Sequence, residues 1–160
     1  MRNPFDPMND SDRHHIWDRL VRADTEAFVT GNWSIIEHDF HAKQFEGIRC
    51  NHSANPDDWT IAFPHLEEYR DSWLVASQEF VAKKFLNLTP ADAIYRRCRL
   101  DRIDIVGDRA LAHKKFSGEV PLADGSTLSG DRQTIYRLHR TGGDWRIVGF
   151  LGQLPLDERT

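Results

Sequence analysis

An α+β domain, helices first and an antiparallel sheet after, is the fold class this chain predicts, and three observations carry it. Apolar residues recur at three and four residues through the first half, the helical spacing. After Thr89-Pro90 the period changes to that of strands. Turn signals at Val106-Gly-Asp-Arg109, Ala123-Asp-Gly-Ser126 and Thr141-Gly-Gly-Asp144 then make successive strands antiparallel neighbours. With 160 residues and neither an internal repeat nor a linker, one domain over residues 13–156 is expected, built on a single core. Residues 1–12, with two prolines and no periodicity, read as a mobile arm.

The elements follow in order. Ser11-Asp12 can cap a first helix running to about Thr30, with Ile16, Trp17, Leu20, Val21, Ala27 and Phe28 on its apolar face and Gly31 as its stop. Asn32 can cap a short second helix to about Phe40, carrying Trp33, Ile36 and Phe40 on one side. Residues 44–50 read as a strand. Residues 51–64 are rich in Asn, Asp, Ser and Pro, yet carry Trp59, Ile61 and Phe63, so they are expected to act as a lid docking Trp59 and Phe63 at a cavity mouth. A third helix begins near Pro64 and frays near Lys84, with Leu66, Tyr69, Trp73, Ala76 and Phe80 at helical spacing. Four strands are then expected, at about 93–106, 110–120, 127–140 and 145–154.

Composition narrows the function. Hydrophobic residues at 39% and charged residues at 29% suit a globular chain, and no apolar run approaches the ~18 residues of a membrane span. No basic-then-apolar leader opens the sequence, so a cytoplasmic protein without membrane partners is expected. A net charge of -4 offers no general attraction to phosphate backbones, which argues against nucleic acid. The arginines at 96, 97, 99 and 102 are interleaved with Asp101 and Asp104, as in a salt-bridged strand. Cys50 and Cys98 form neither a disulfide framework nor a zinc pattern. His38 and His41 lack His-Glu-x-x-His spacing, and no phosphate loop or nucleophile elbow is present, so neither metal nor cofactor is expected.

Four segments carry a resemblance: Gly31-Asn-Trp33, Phe45-Glu-Gly47, Val106-Gly-Asp-Arg-Ala110 and Gly143-Asp-Trp-Arg-Ile-Val148. In this order and spacing the chain resembles the nuclear transport factor 2-like superfamily, and within it the SnoaL-like proteins, over residues 14–155. The resemblance implies three helices on a strongly curved antiparallel sheet, a cone-shaped cavity between them and homodimeric packing. It implies activities ranging from polyketide cyclisation, ketosteroid isomerisation and dehydration to non-catalytic roles, among which the fold does not choose.

Asp24 stands out on the first helix, because it falls in the middle of the apolar stripe. A carboxylate there requires a hydrogen-bond partner, a cation or a water-filled cavity. Two readings follow: an acid/base in the cavity, at the place where the resembled ketosteroid isomerases carry a substrate-polarising tyrosine, or a buried carboxylate paired with Arg97, Arg99 or Arg132 or capping a backbone amide. Tyr95, His113 and Lys114 are expected on strands lining the cone. Tyr95 and the His113-Lys114 pair fall near the two catalytic histidines of scytalone dehydratases, so that pair is not reproduced. At the isomerase base position the first strand offers only Glu46, Gly47 and Ile48. Strand alternation groups Arg132 and Thr134 with Tyr136 toward the cavity. In the last strand Ile147 and Leu151 are expected on the cavity side, opposite Val148 and Phe150. Where many SnoaL-like proteins end with His-x-Ser-x-Pro, this chain reads Leu151-Gly-Gln-Leu-Pro155, which favours an apolar ligand.

The resulting expectation is a cavity that binds a small hydrophobic molecule through Trp17, Phe28, Trp59, Phe63, Tyr69, Trp73, His113, Lys114, Arg132, Thr134, Ile147 and Leu151. Asp24, Tyr136 and Tyr95 would carry any cofactor-independent proton transfer. The alternative is a non-catalytic binding or accessory domain of the same fold. A homodimer joined through the sheet is expected because both faces of the last strand are apolar.

Overall fold

Asp24 lies where two kinds of helix meet. In the computed structural model, which describes residues 1–157, helix α1 (Ser11–Trp17) runs into a π turn (Asp18–Ala23) and continues as α2 (Asp24–Thr30). Gly31, at φ 65°, closes α2 in the left-handed conformation that a side chain would strain. The sequence before α1 is seated against it: Asn3 donates to the His14 carbonyl, and Phe5 packs on the core.

The expected second helix is only two short 3-10 turns, Trp33–Ile35 and Glu37–Asp39. Strand β1 (Glu46–Arg49) follows. The last part of the expected lid, Ile61 and Phe63 included, is strand β2 (Thr60–Phe63), antiparallel to β1. Helix α3 (Leu66–Val81) packs on α2, and the buried Ser77 hydroxyl donates to the Phe28 carbonyl at its end.

Residues expected to open a long strand at Ala93 form helix α4 (Pro90–Arg97) instead. Thr89 and Asp92 make a reciprocal capping box and Pro90 fills the first turn, a start signal that outweighs the alternation read farther on. The chain therefore has three main helices on a sheet, as expected, but α4 takes the place assigned to residues 32–40.

The remaining strands are β3 (Cys98–Arg99), β4 (Ile103–Val106), β5 (Arg109–Phe116), β6 (Val120–Pro121), β7 (Thr127–Leu128), β8 (Arg132–Thr141) and β9 (Asp144–Leu154). The main sheet runs β2-β1-β9-β8-β5-β3, with β4 also on β5; β6 and β7 form a separate pair. It is mixed rather than purely antiparallel, because β1 lies parallel to β9.

Between β8 and β9 the register slips, so that Arg137 faces Gly149 while Leu138 faces Ile147. The extra residue of such a bulge resets the alternation. Ile147 and Phe150 consequently share the inner face, and Leu151 is turned outward opposite Ile135. Glycine is needed at 149, where a Cβ would come within 2.5 Å of the Glu46 carbonyl oxygen. One core, with Trp17, Leu20, Ala27, Trp73, Leu138 and Ile147 among its members, fills the space under the helices.

Candidate functional site

The π turn sets up the site's chemistry. The Asp24 N–H reaches back to the carbonyls of Arg19 and Val21, skipping that of Leu20, which an α-helix would have used. The Leu20 carbonyl accepts instead from Lys114 Nζ at 2.6 Å, and the same ammonium donates to Asp24 Oδ2 at 2.8 Å. Lys114 is on the inner face of β5 with Ala110, Ala112 and Phe116, where small alanines leave room for its stem. Its side chain is 2% exposed, whereas that of Asp24 is 30% exposed. The pair thus has a buried cation and a carboxylate that opens on free space. Burial of the Lys114 ammonium pulls its pKa down, but Asp24, with Cys98 adding, outweighs this and holds it above the ordinary lysine value of 10.5.

That space is a cavity of about 430 Å³ between α2, α3, α4 and the sheet. Its wall is aromatic. Phe28 meets Trp73 edge to face at 5.4 Å, and Tyr69 packs on Phe150 at 5.0 Å and on Phe63 at 5.4 Å. Phe150 fits because its neighbours are glycines: a Cβ on Gly47 would lie 2.8 Å from its ring and one on Gly152 2.9 Å. Gly47 lies among the three first-strand residues, Glu46, Gly47 and Ile48, at which no isomerase-like aspartate is found, and Phe63 and Phe150 fill the space beside it. Tyr69 and Tyr136 adjoin each other and both are half-buried. Burial first, then each other's or the Asp24 charge, drives both phenols well above their usual range, so they stay protonated donors. Arg97 and Arg132 line the side toward α4, with Arg49 and Lys83 at the rim.

Nine of the expected residues line this cavity: Asp24, Phe28, Phe63, Tyr69, Trp73, Lys114, Arg132, Thr134 and Tyr136. Six do not. Trp17 is fully buried in the core behind the site. Tyr95 rides on α4, not a strand, and packs against the core. Trp59 donates its indole N–H to the Ser53 carbonyl at 2.9 Å, so it pins its own loop. His113 alternates away from Lys114 and lies 3.2 Å from Asp104. Leu151 is turned outward by the bulge, and Ile147 borders only a narrow cleft behind Asp24 and Tyr136.

The partner of Asp24 is a lysine, not one of the three arginines considered. Arg97 donates to the Gly118 and Gly130 carbonyls, and Arg99 pairs with Asp101. Sequence reasoning missed Arg97, Phe116 and Phe150 as lining residues. The capping box at Thr89 would have turned Arg97 from a strand position into a helix-end one, and the glycines at 149 and 152 flag the bulge beside Phe150. Among the described residues no cluster of His, Cys, Asp and Glu is placed to hold a metal ion, and no helix is long and apolar enough to cross a membrane.

No family model and no curated protein sequence matches the chain. Solved structures do. A domain of unknown function with a cystatin-like fold from Nostoc punctiforme superposes with a TM-score of 0.61 at 16% identity, covering 93% of this chain and 80% of that one. A putative dehydratase from the NTF2-like family of Streptomyces avermitilis gives 0.58 at 14% identity, over 92% and 97% of the two chains. An NTF2-like protein of unknown function from Shewanella baltica gives 0.55 at 16%, over 91% and 94%. Identities this low speak to backbone architecture alone. By its helices, its curved mixed sheet and these superpositions, the chain has the nuclear transport factor 2-like fold of the cystatin-like class.

Proposed function

We propose that the protein binds a small hydrophobic molecule in this cavity. The observation that carries the reading is an aromatic wall of Phe28, Phe63, Trp73 and Phe150 around about 430 Å³, with Asp24, Lys114, Arg132 and Tyr136 among the polar groups that line it. Ligand sites are commonly clefts of about 300–1,000 Å³ with apolar linings and sparse, well-placed polar groups. Native mass spectrometry of freshly purified protein tests it. A retained small molecule is expected on the wild type and lost from Thr134→Trp, which fills the cavity from β8. A wild type that retains no mass and also fails to bind the probe 4-phenylbutan-2-one overturns the reading.

One observation favours turnover as well. Asp24 has one oxygen fixed by Lys114 while the carboxylate stays 30% exposed at the cavity, beside the phenol of Tyr136. A carboxylate held this way can take a proton α to a carbonyl while the phenol donates a hydrogen bond to the developing oxyanion. Such a step requires no cofactor. A dehydration run by two histidines has no support, since Tyr95 is on α4 and His113 is on the outer face. Deuterium uptake at the α-carbons of 4-phenylbutan-2-one in D2O, followed by NMR, is expected to be faster with the wild type than with Asp24→Asn. Equal uptake with and without protein would leave binding alone.

A further inference from the structure

The cavity is far more basic than the protein around it. Five cationic side chains line it, Arg49, Lys83, Arg97, Lys114 and Arg132, against the two carboxylates of Asp24 and Glu79. The chain as a whole carries a net charge of -4. Asp24 is taken by Lys114, and Glu79 is exposed on α3. Among the described residues Arg132 takes part in no ion pair. Its guanidinium stacks over Phe116 at 4.8 Å, and among the described residues its one hydrogen bond is a long one, 3.5 Å to the carbonyl of Gly130 two residues back. Arg97 shares that acceptor at 2.7 Å. Two buried or half-buried guanidiniums thus meet at a single carbonyl, and burial, followed by the repulsion of Arg97, lowers the proton affinity of Arg132. Guanidinium forks are matched to planar anions, which they bind bidentately.

We propose that Arg132, with Arg97 beside it, forms an anion subsite in which the cavity holds the carboxylate of a small hydrophobic acid. The apolar body of the acid lies along Phe28, Trp73, Phe80 and Phe150, and its head group supplies the counter-charge that Arg132 lacks among the described residues. The site would then select a negatively charged amphiphile over an equally greasy neutral one. This rests on the cavity being a ligand site, and the test separates the two claims.

Calorimetric titration of the full chain at pH 7.5 compares 4-phenylbutyrate with its neutral isostere 4-phenylbutanamide. A charge-assisted hydrogen bond in a desolvated site is expected to favour the acid by roughly ten- to hundred-fold. Arg132→Gln should reduce the acid to the level of the amide and leave the amide unchanged, while Arg132→Lys keeps part of the preference as a point charge. The melting temperature of Arg132→Gln should stay near that of the wild type, since among the described residues the guanidinium has just its stacking on Phe116 and one long hydrogen bond to its own loop. Equal wild-type affinity for the two probes, or an Arg132→Gln variant that weakens both alike, overturns the anion subsite and leaves the hydrophobic cavity standing. A wild type that binds neither probe overturns both.

Discussion

Replacing Asp24 by asparagine isolates a charge while keeping the shape. The asparagine carbonyl can still accept from Lys114 Nζ, but the ammonium, 2% exposed and among the described residues otherwise hydrogen-bonded only to the Leu20 carbonyl, loses its counter-ion. Removing one member of a buried pair costs about 3–5 kcal/mol. The 30% exposure of Asp24 lets cavity water share in solvating the site, which places this case at the low end, about 3 kcal/mol. For a domain of this size that lowers Tm by about 6–12 °C near pH 7. The pH dependence gives the sign. In the wild type the Lys114 pKa is raised above its ordinary value, so the stability it contributes is fully present at pH 7 and is lost only as pH rises through that raised value. In Asp24→Asn the main opposing charge is gone, burial outweighs what Cys98 and Tyr69 add and depresses the same pKa, so folding regains stability as pH rises toward 10 and the lysine sheds its proton. Thermal melts of both proteins from pH 7 to 10 should therefore converge. Lys114→Met, which orphans the Leu20 carbonyl, should cost about 1–3 kcal/mol, and the double variant less than the sum of the singles. An Asp24→Asn protein as stable as the wild type at pH 7, or singles that simply add, would refute the pairing.

Other perturbations probe other parts of the argument. Thr89→Ala removes the capping box of α4 and should cost about 1 kcal/mol, read by chemical denaturation. Gly47→Ala drives a methyl against Phe63 and Phe150 and should destabilise by about 1–3 kcal/mol while altering near-ultraviolet dichroism from the aromatic wall. Trp59→Ala should leave ligand affinity unchanged, because the indole is bonded within its own loop; a tenfold loss would restore it as a lid. Asp12 accepts from the Trp145 indole and from Arg140, contacts that hold its pKa below the ordinary carboxylate value. Its contribution is present above that value and lost as pH falls through the lowered one, so Trp145 fluorescence should titrate below pH 3.8, and a midpoint above it would contradict the contact. Sedimentation at micromolar concentration should show a dimer, since Ile135 and Leu151 sit side by side on the outer face of the sheet; a monomer would remove that expectation.

The fold was legible because helical spacing and hairpin turns are local signals, written within a dozen residues of one another. Asp24 was legible for the same reason, as a carboxylate misplaced in its own helix's apolar stripe. Its partner was not, because Lys114 lies 90 residues away and reaches it only once β5 is laid across the helix. The nearby arginines looked equally able to supply the charge. What selects the lysine is backbone geometry: the π turn strands the Leu20 carbonyl, and an ammonium can serve that acceptor and the carboxylate together. The same kind of non-local cause explains Leu151. Two-residue alternation put it inside, and one bulge, imposed where Gly149 passes the Glu46 carbonyl, put Phe150 there instead. Pattern reading thus finds which residues are out of place, and tertiary contact decides what each is paired with. Arg132 is the case where the two combine: alternation aims it at the cavity, and among the described residues it has no carboxylate in an ion pair. A guanidinium so placed implies that the missing anion arrives with the ligand.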